Sequence, residues 1–335
     1  MMSRKERVRA AIQHRQPEMV PWQISFTQPA RKKLTDLWGP ADLDERLGNH
    51  LSWRRTGLSG YWDPTRPDRW VDEFSVVWNR TVDKDIGNPE DYVLQRVALD
   101  DYRWPDPHDP SRYAGFPDFI KSHSDSFLIF GIDFSLFERA WTLRGMEQLM
   151  VDMIDQPEYV EELLERILAY NLALIDEACA HDFDGIYTGD DWGQQQGLLM
   201  GPVLWRRFVK PVLRRMYGRV KEHGKFVLIH SCGDIEEIIP DLIEVGVDVL
   251  NPFQPEVMDV RRMKREYGKD LSFWGGVSIQ HTLPYGSPEQ VKEEVCGLMR
   301  DIGAGGGYII APAHDMPGDI PVENMLALIE TVQNQ

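Results

Sequence analysis

A chain of 335 residues with 42% hydrophobic content can bury a large core, either as one α/β barrel or as two ordinary domains. Its 37 basic against 54 acidic residues give a net charge of −17, which argues against nucleic acid or an anionic membrane as a main partner. Cys179, Cys232 and Cys296 are too few and too scattered for a disulfide scaffold. No run approaches a membrane span and the N-terminus lacks an apolar signal core, so the sequence predicts a soluble cytoplasmic protein.

Taken in chain order, MMSRKERVRAAIQHRQPEMVPW is charged and helix-patterned, and PWQISF (21–26) reads as a first strand. The stretch from about 28 to 125 is irregular, rich in Pro and Asp, and holds Trp53, Trp62, Trp70, Trp78 and Trp104. Hairpins such as DRWVDEFSVVWNR predict insertions covering one end of a barrel; the tryptophans could wall a flat ligand, although core packing is the commoner fate of such residues. FLIFGI (127–132) is a strand. Pro157 opens a long helix with an apolar stripe at Val160, Leu164, Ile167, Leu168, Leu172 and Ile175. Strands then follow at 185–189, 225–230, 247–251, 271–276 and 308–312. They alternate with helices at 202–222, 235–245, 257–267, 288–302 and from about 321. Such alternation means a parallel sheet, and the uninterrupted run favours a (β/α)8 barrel with irregular N-terminal insertions, a single domain over 1–335. GAGGGYII precedes a strand, the wrong order for a dinucleotide fingerprint.

In a barrel of this kind the residues just after each strand meet on one face. Here they include Asp133, Glu138 and Arg139; Asp190, Asp191, Trp192 and Gln194; His230 and Cys232; Asn251, Phe253 and Gln254; Ser278 and Gln280; and His314 and Asp315. KFVLIHSCGD (225–234) stands out. Side chains alternate along a strand, so His230 and Cys232 point the same way and offer an imidazole and a thiol to a soft or borderline metal such as zinc. Asp234 with Glu237 reads as a capping box for the next helix. His314 adds a third N/S ligand, the number a catalytic zinc uses while keeping one position open. Asp190 and Asp191 could ligate, orient a histidine, or move a proton, and one of them could instead cap a helix. A core histidine beside a buried free thiol is the plainer reading of the His230–Cys232 pair.

Nearly the whole chain resembles the uroporphyrinogen decarboxylase family. The likeness rests on DDWGQQQGLLMGPVLWRRFVKPVL (190–213), HSCGDIEEIIPDLIEVGVDVLNPFQ (230–254), FWGGVSIQHTLPYGSPEQV (273–291) and YIIAPAHDMPGDIPVENM (308–325), with a weaker echo in WTLRGMEQLM (141–150). The resemblance implies a barrel and one of two chemistries. Cofactor-free decarboxylation of uroporphyrinogen, a carboxy-lyase reaction of porphyrin biosynthesis, relies on an arginine-rich N-terminal motif. The corresponding PWQISFTQPARKKL (21–34) keeps Gln28 and Arg31 but lacks the paired arginines and the tyrosine, and buried carboxylates need such partners. The other branch holds zinc-dependent methyltransferases that exchange a methyl group between a corrinoid and a thiol or similar acceptor. They use His-x-Cys and a third ligand, usually Cys, near the C-terminus, where this chain has His314. The resemblance therefore favours a methyltransferase. It would have zinc on His230, Cys232 and His314, Asp190, Asp191 and His314 as catalytic groups, and Trp192, Gln254, Arg139 and Gln194 lining the pocket. It also implies a homodimer and a separate corrinoid protein docking at the barrel mouth. A non-catalytic corrinoid or tetrapyrrole carrier is the alternative of another class.

Overall fold

The computed structural model describes residues 1–39, 43–55 and 60–335. Among these residues seven parallel strands run side by side in the order Leu51–Arg55, Phe127–Ile132, Gly185–Gly189, Phe226–His230, Val249–Phe253, Ser272–Val277 and Tyr308–Pro312. Residues 21–26 close the ring between the last of these and the first. On one side Gln23 N donates to Ile310 O at 3.0 Å and Ile310 N donates to Pro21 O at 2.9 Å; on the other His50 N donates to Trp22 O at 3.0 Å. Trp22 and Phe26 bridge Ile310 and Met316 in parallel. The result is a (β/α)8 barrel.

Sequence patterning located most of these strands to within two residues, and missed one. Leu51–Arg55 lies inside the stretch read as insertion, because LSWRR carries one clearly apolar face residue on each side of a serine and ends in two arginines. The strand is set by its pairing, Leu51 to Phe127 through Arg55 to Gly131, not by its own hydrophobicity. The strand expected at 247–251 is observed at 249–253: the Val247 amide still closes the preceding turn on Leu242 O, and pairing with the neighbouring strand begins only with Asp248 N on Val227 O.

Alternate residues separate two cores, as the pleat demands. Val227 and Ile229 face the surrounding helices, whereas Phe226 and Leu228 face the barrel axis. The axial cluster also contains Leu51, Phe127, Ile129, Tyr187, Val249, Trp274 and Ile309. Helix Arg4–Ile12, closed by a Ser3–Glu6 capping box, inserts Val8 and Ile12 into it and so plugs the N-terminal end of the barrel. The opposite end stays polar. Over it sits an antiparallel sheet of Gly60–Trp62, Arg69–Asp72, Val77–Asn79 and Asn88–Asp91, which includes the hairpin expected from DRWVDEFSVVWNR. Trp78 packs on Phe134 with ring centres 5.0 Å apart. Among the described residues no helix is long and apolar enough to cross a membrane.

Candidate metal centre

His230 ends its strand as the next inward residue after Leu228. Two residues on, Cys232 places Sγ 3.3 Å from His230 Nε2. His314, two residues past strand 308–312, brings its ring centre to 5.3 Å from that of His230. One ligand atom from each of the three lies within 4.8 Å of the others. The donor set is two imidazoles and a thiol at the C-terminal mouth of the barrel, the combination that suits zinc with one position left open.

The HSCGD turn is held from both sides. Ser231 N donates to Asn251 O at 2.8 Å, and Gly233 N donates to Gln254 Oε1 at 2.8 Å. Trp192 N donates to Ser231 Oγ at 2.9 Å, Cys232 N to Asp191 Oδ1 at 2.8 Å and Asp234 N to Gln194 O at 2.8 Å. Gly233 has φ +83°, and a Cβ there would sit 2.4 Å from the carbonyl carbon of Gly193. Only glycine permits that backbone-to-backbone approach. Asp234 accepts from Glu236 N but forms no capping box with Glu237: the following turn is 3-10 and starts from Ile235 without a side-chain cap.

Carboxylates surround the three ligands. Asp191 lies 3.6 Å from His230 Nε2. Burial first, then Asp191, Glu138 and Asp315, push the Cys232 thiol well above its ordinary range. Burial and then the charges of Asp191 and Asp190 push Glu138 well above the usual carboxylate range. A field of this sign holds the sulfur as a thiol in the absence of a cation and favours a cation once one is present. His314 is driven the other way, its pKa lowered by burial and by His230, which keeps the ring neutral and able to ligate. Its Nδ1 accepts from Asp315 N at 2.8 Å, a bond lost on metal binding, because coordination through either nitrogen leaves Nδ1 without a free lone pair. Strand 51–55 brings a cation to this rim: Arg55, whose Nε is 3.2 Å from Asp133 Oδ2 and whose guanidinium lies 4.8 Å over the Trp53 ring.

Other residues expected at the site are engaged elsewhere. Asp190, 1% exposed, accepts from Leu136 N, Phe137 N and Glu138 N at the start of helix Phe137–Arg144 and from Trp192 Nε1. It caps that helix rather than the one after it, and burial raises its pKa to about 6. Trp192 is buried against Trp205. Arg139, 2% exposed, pairs with Asp72 at 3.1 Å beneath Phe74, tying the antiparallel sheet to the barrel; the small cavity it borders is lined by Phe74, Phe134 and Tyr170 rather than by the three ligands. Gln194 is exposed in a short hairpin, and Gln254 is committed to Gly233. Sequence reasoning noted Asp133, Glu138, Asn251 and Asp315 as strand-end residues without giving them roles. Arg55 was hidden with its strand.

The uroporphyrinogen decarboxylase (URO-D) family profile matches residues 125–335, more than half the chain. The chain belongs to this family. A uroporphyrinogen decarboxylase of Coxiella burnetii is 23% identical over 185 residues, covering 54% of this chain and 49% of that protein. A methylated-thiol–coenzyme M methyltransferase of Methanosarcina mazei is 28% identical over 131 residues, 39% of this chain and 33% of that protein. The chain thus spans about half the length, or less, of the curated relatives it matches. A solved methyltransferase from Methanosarcina mazei superposes with a TM-score of 0.74 at 18% identity, covering 100% of this chain and 99% of that one, and shares the fold.

Proposed function

We propose that this member of the family is a zinc-dependent methyltransferase moving a methyl group between a corrinoid and a thiol or similar small acceptor. The observation that carries the reading is the convergence of His230, Cys232 and His314 within 4.8 Å at the barrel mouth. A bound zinc would supply Lewis acidity that lets an acceptor thiol lose its proton at neutral pH. The protein's own part is to fix the three ligands on rigid strand ends and to gather carboxylates around them. In this reading Asp191, beside His230 and the Cys232 amide, orients the ligands and takes up a proton from the acceptor.

The decarboxylase reading finds less support. Arg31, from the eroded arginine motif, pairs with Asp44 on the exposed face of helix Gln28–Trp38. The rim itself carries Asp133, Asp191 and Asp315 against Arg55, a field that repels a polycarboxylate substrate. The methyl donor is proposed to be a separate corrinoid protein.

Two measurements test the reading together. Metal analysis of protein purified without chelator is expected to give stoichiometric zinc that Cys232→Ala and His314→Ala lose, with Cys296→Ala unaffected at an exposed thiol. Incubation with methylcobalamin and a panel of thiols, followed by the cobalamin spectrum, is expected to show demethylation that needs Cys232. Catalytic loss of carbon dioxide from uroporphyrinogen, followed by mass and indifferent to Cys232→Ala, would replace this reading with the decarboxylase.

A further inference from the structure

The geometry points to Asn251 as a positioning residue that presets His230 as a metal ligand. The inference rests on the metal-site reading above. His230 and Asn251 are register partners on adjacent strands, so their side chains stand next to each other on the inner face. Asn251 Nδ2 donates to Trp274 O at 3.1 Å. A carbonyl can only accept, so this bond decides which way the amide faces and turns Oδ1 toward the imidazole. Oδ1 lies 2.7 Å from His230 Nδ1 and cannot donate, so Nδ1 carries the proton. The neutral ring is left with its lone pair on Nε2, the nitrogen 3.3 Å from Cys232 Sγ. A backbone carbonyl on one strand thereby selects the tautomer of a ligand two strands away.

His314 shows what the absence of such a device looks like. Its Nδ1 accepts from Asp315 N, so the neutral ring carries its proton on Nε2, and binding through that nitrogen requires the tautomer to exchange. His230 needs no change. Asn251 is 9% exposed and its side chain makes these two bonds; packing alone at this position would be met equally well by leucine.

The test compares Asn251→Leu with Asn251→Asp. Both lose the bond to Trp274 O, so their difference reports the acceptor facing His230, to which aspartate adds a negative charge; the metal-free tautomer comparison below reads the acceptor directly. In chelator-stripped protein reloaded against a chromophoric competitor, Asn251→Leu is expected to bind Zn²⁺ about 10- to 100-fold more weakly than wild type, with Asn251→Asp restoring most of the loss. With Co²⁺ in place of Zn²⁺, the thiolate charge-transfer band is expected to shift or fade in Asn251→Leu and to return in Asn251→Asp. A metal-free readout stands beside these: imidazole ¹⁵N chemical shifts should show His230 protonated at Nδ1 in wild type and Asn251→Asp, and a mixture of tautomers in Asn251→Leu. Leucine and wild-type proteins with equal zinc affinity and the same His230 tautomer would overturn the inference. If wild type takes up no zinc, the function proposed above fails, while the tautomer comparison still decides the role of Asn251.

Discussion

The two ends of the barrel are built from the same strands and solve opposite problems. At the N-terminal end, helix Arg4–Ile12 seals the axis with Val8 and Ile12, and His50 is buried at 1% exposure against Trp22, ring centres 3.9 Å apart, with Nδ1 unpartnered. At the C-terminal end, His230, Cys232 and His314 stand among carboxylates, and every backbone amide from Ser231 to Asp234 is spent on fixing the ligand turn. One end buys stability through apolar contact. The other concentrates groups that burial penalises, and it is tolerated because cross-loop hydrogen bonds hold them in place. Substitutions at the two ends should therefore separate stability from metal binding.

The largest effect is expected at the ligand turn. Gly233→Ala forces a Cβ into the Gly193 backbone at a positive φ, so zinc binding should be lost while the far-ultraviolet dichroism of the barrel survives. Retained stoichiometric zinc in that variant would show the turn to be more adaptable than its packing indicates. Next comes Asp190→Ala, which strips an acceptor from three backbone amides and an indole. Loss of a buried charged acceptor on this scale is worth about 3 kcal/mol or more in chemical denaturation. If Asp190 acted in chemistry instead, activity would fall with stability unchanged.

At the closed end, Ile12→Ala should lower stability by about 2–4 kcal/mol through the cavity it leaves. Zinc stoichiometry and the turnover of the folded protein are expected to stay at the wild-type level. The last effect is absent at neutral pH and appears only on acidification. Burial lowers the pKa of His50 from 6.5 to about 3, so the unfolded chain takes a proton that the folded one refuses. Stability from this group is fully present above about pH 6.5 and is lost as pH falls toward 3, steepening the curve by up to about 1.4 kcal/mol per pH unit. His50→Gln should flatten that slope in denaturation curves recorded between pH 6.5 and 4.

Period-two and helical patterning made most of the barrel legible, and the same periodicity puts His230 and Cys232 on one side of their strand. It failed at Leu51–Arg55, whose identity as a strand comes from Phe127–Ile132 beside it; with that strand went Arg55. It also treated Asp190, Trp192 and Arg139 as site residues because each follows a strand. Position after a strand fixes an end of the barrel, but not the direction in which a side chain turns once there, and all three turn into buried partnerships.

What the sequence determined by itself is what local periodicity and residue chemistry carry: alternating strands and helices, a shared end for the strand-terminal residues, and a thiol and imidazole two residues apart. What only the tertiary structure decided is which of those residues meet. His314 is 82 residues beyond Cys232 in the chain and reaches it because the barrel closes, with strand 308–312 meeting strand 51–55 through residues 21–26. Asn251 governs His230 because two strands fall in register, and Asp190 is consumed by a helix that begins 53 residues earlier. Such contacts depend on the closure and stagger of the whole sheet, and no local pattern in the chain encodes them.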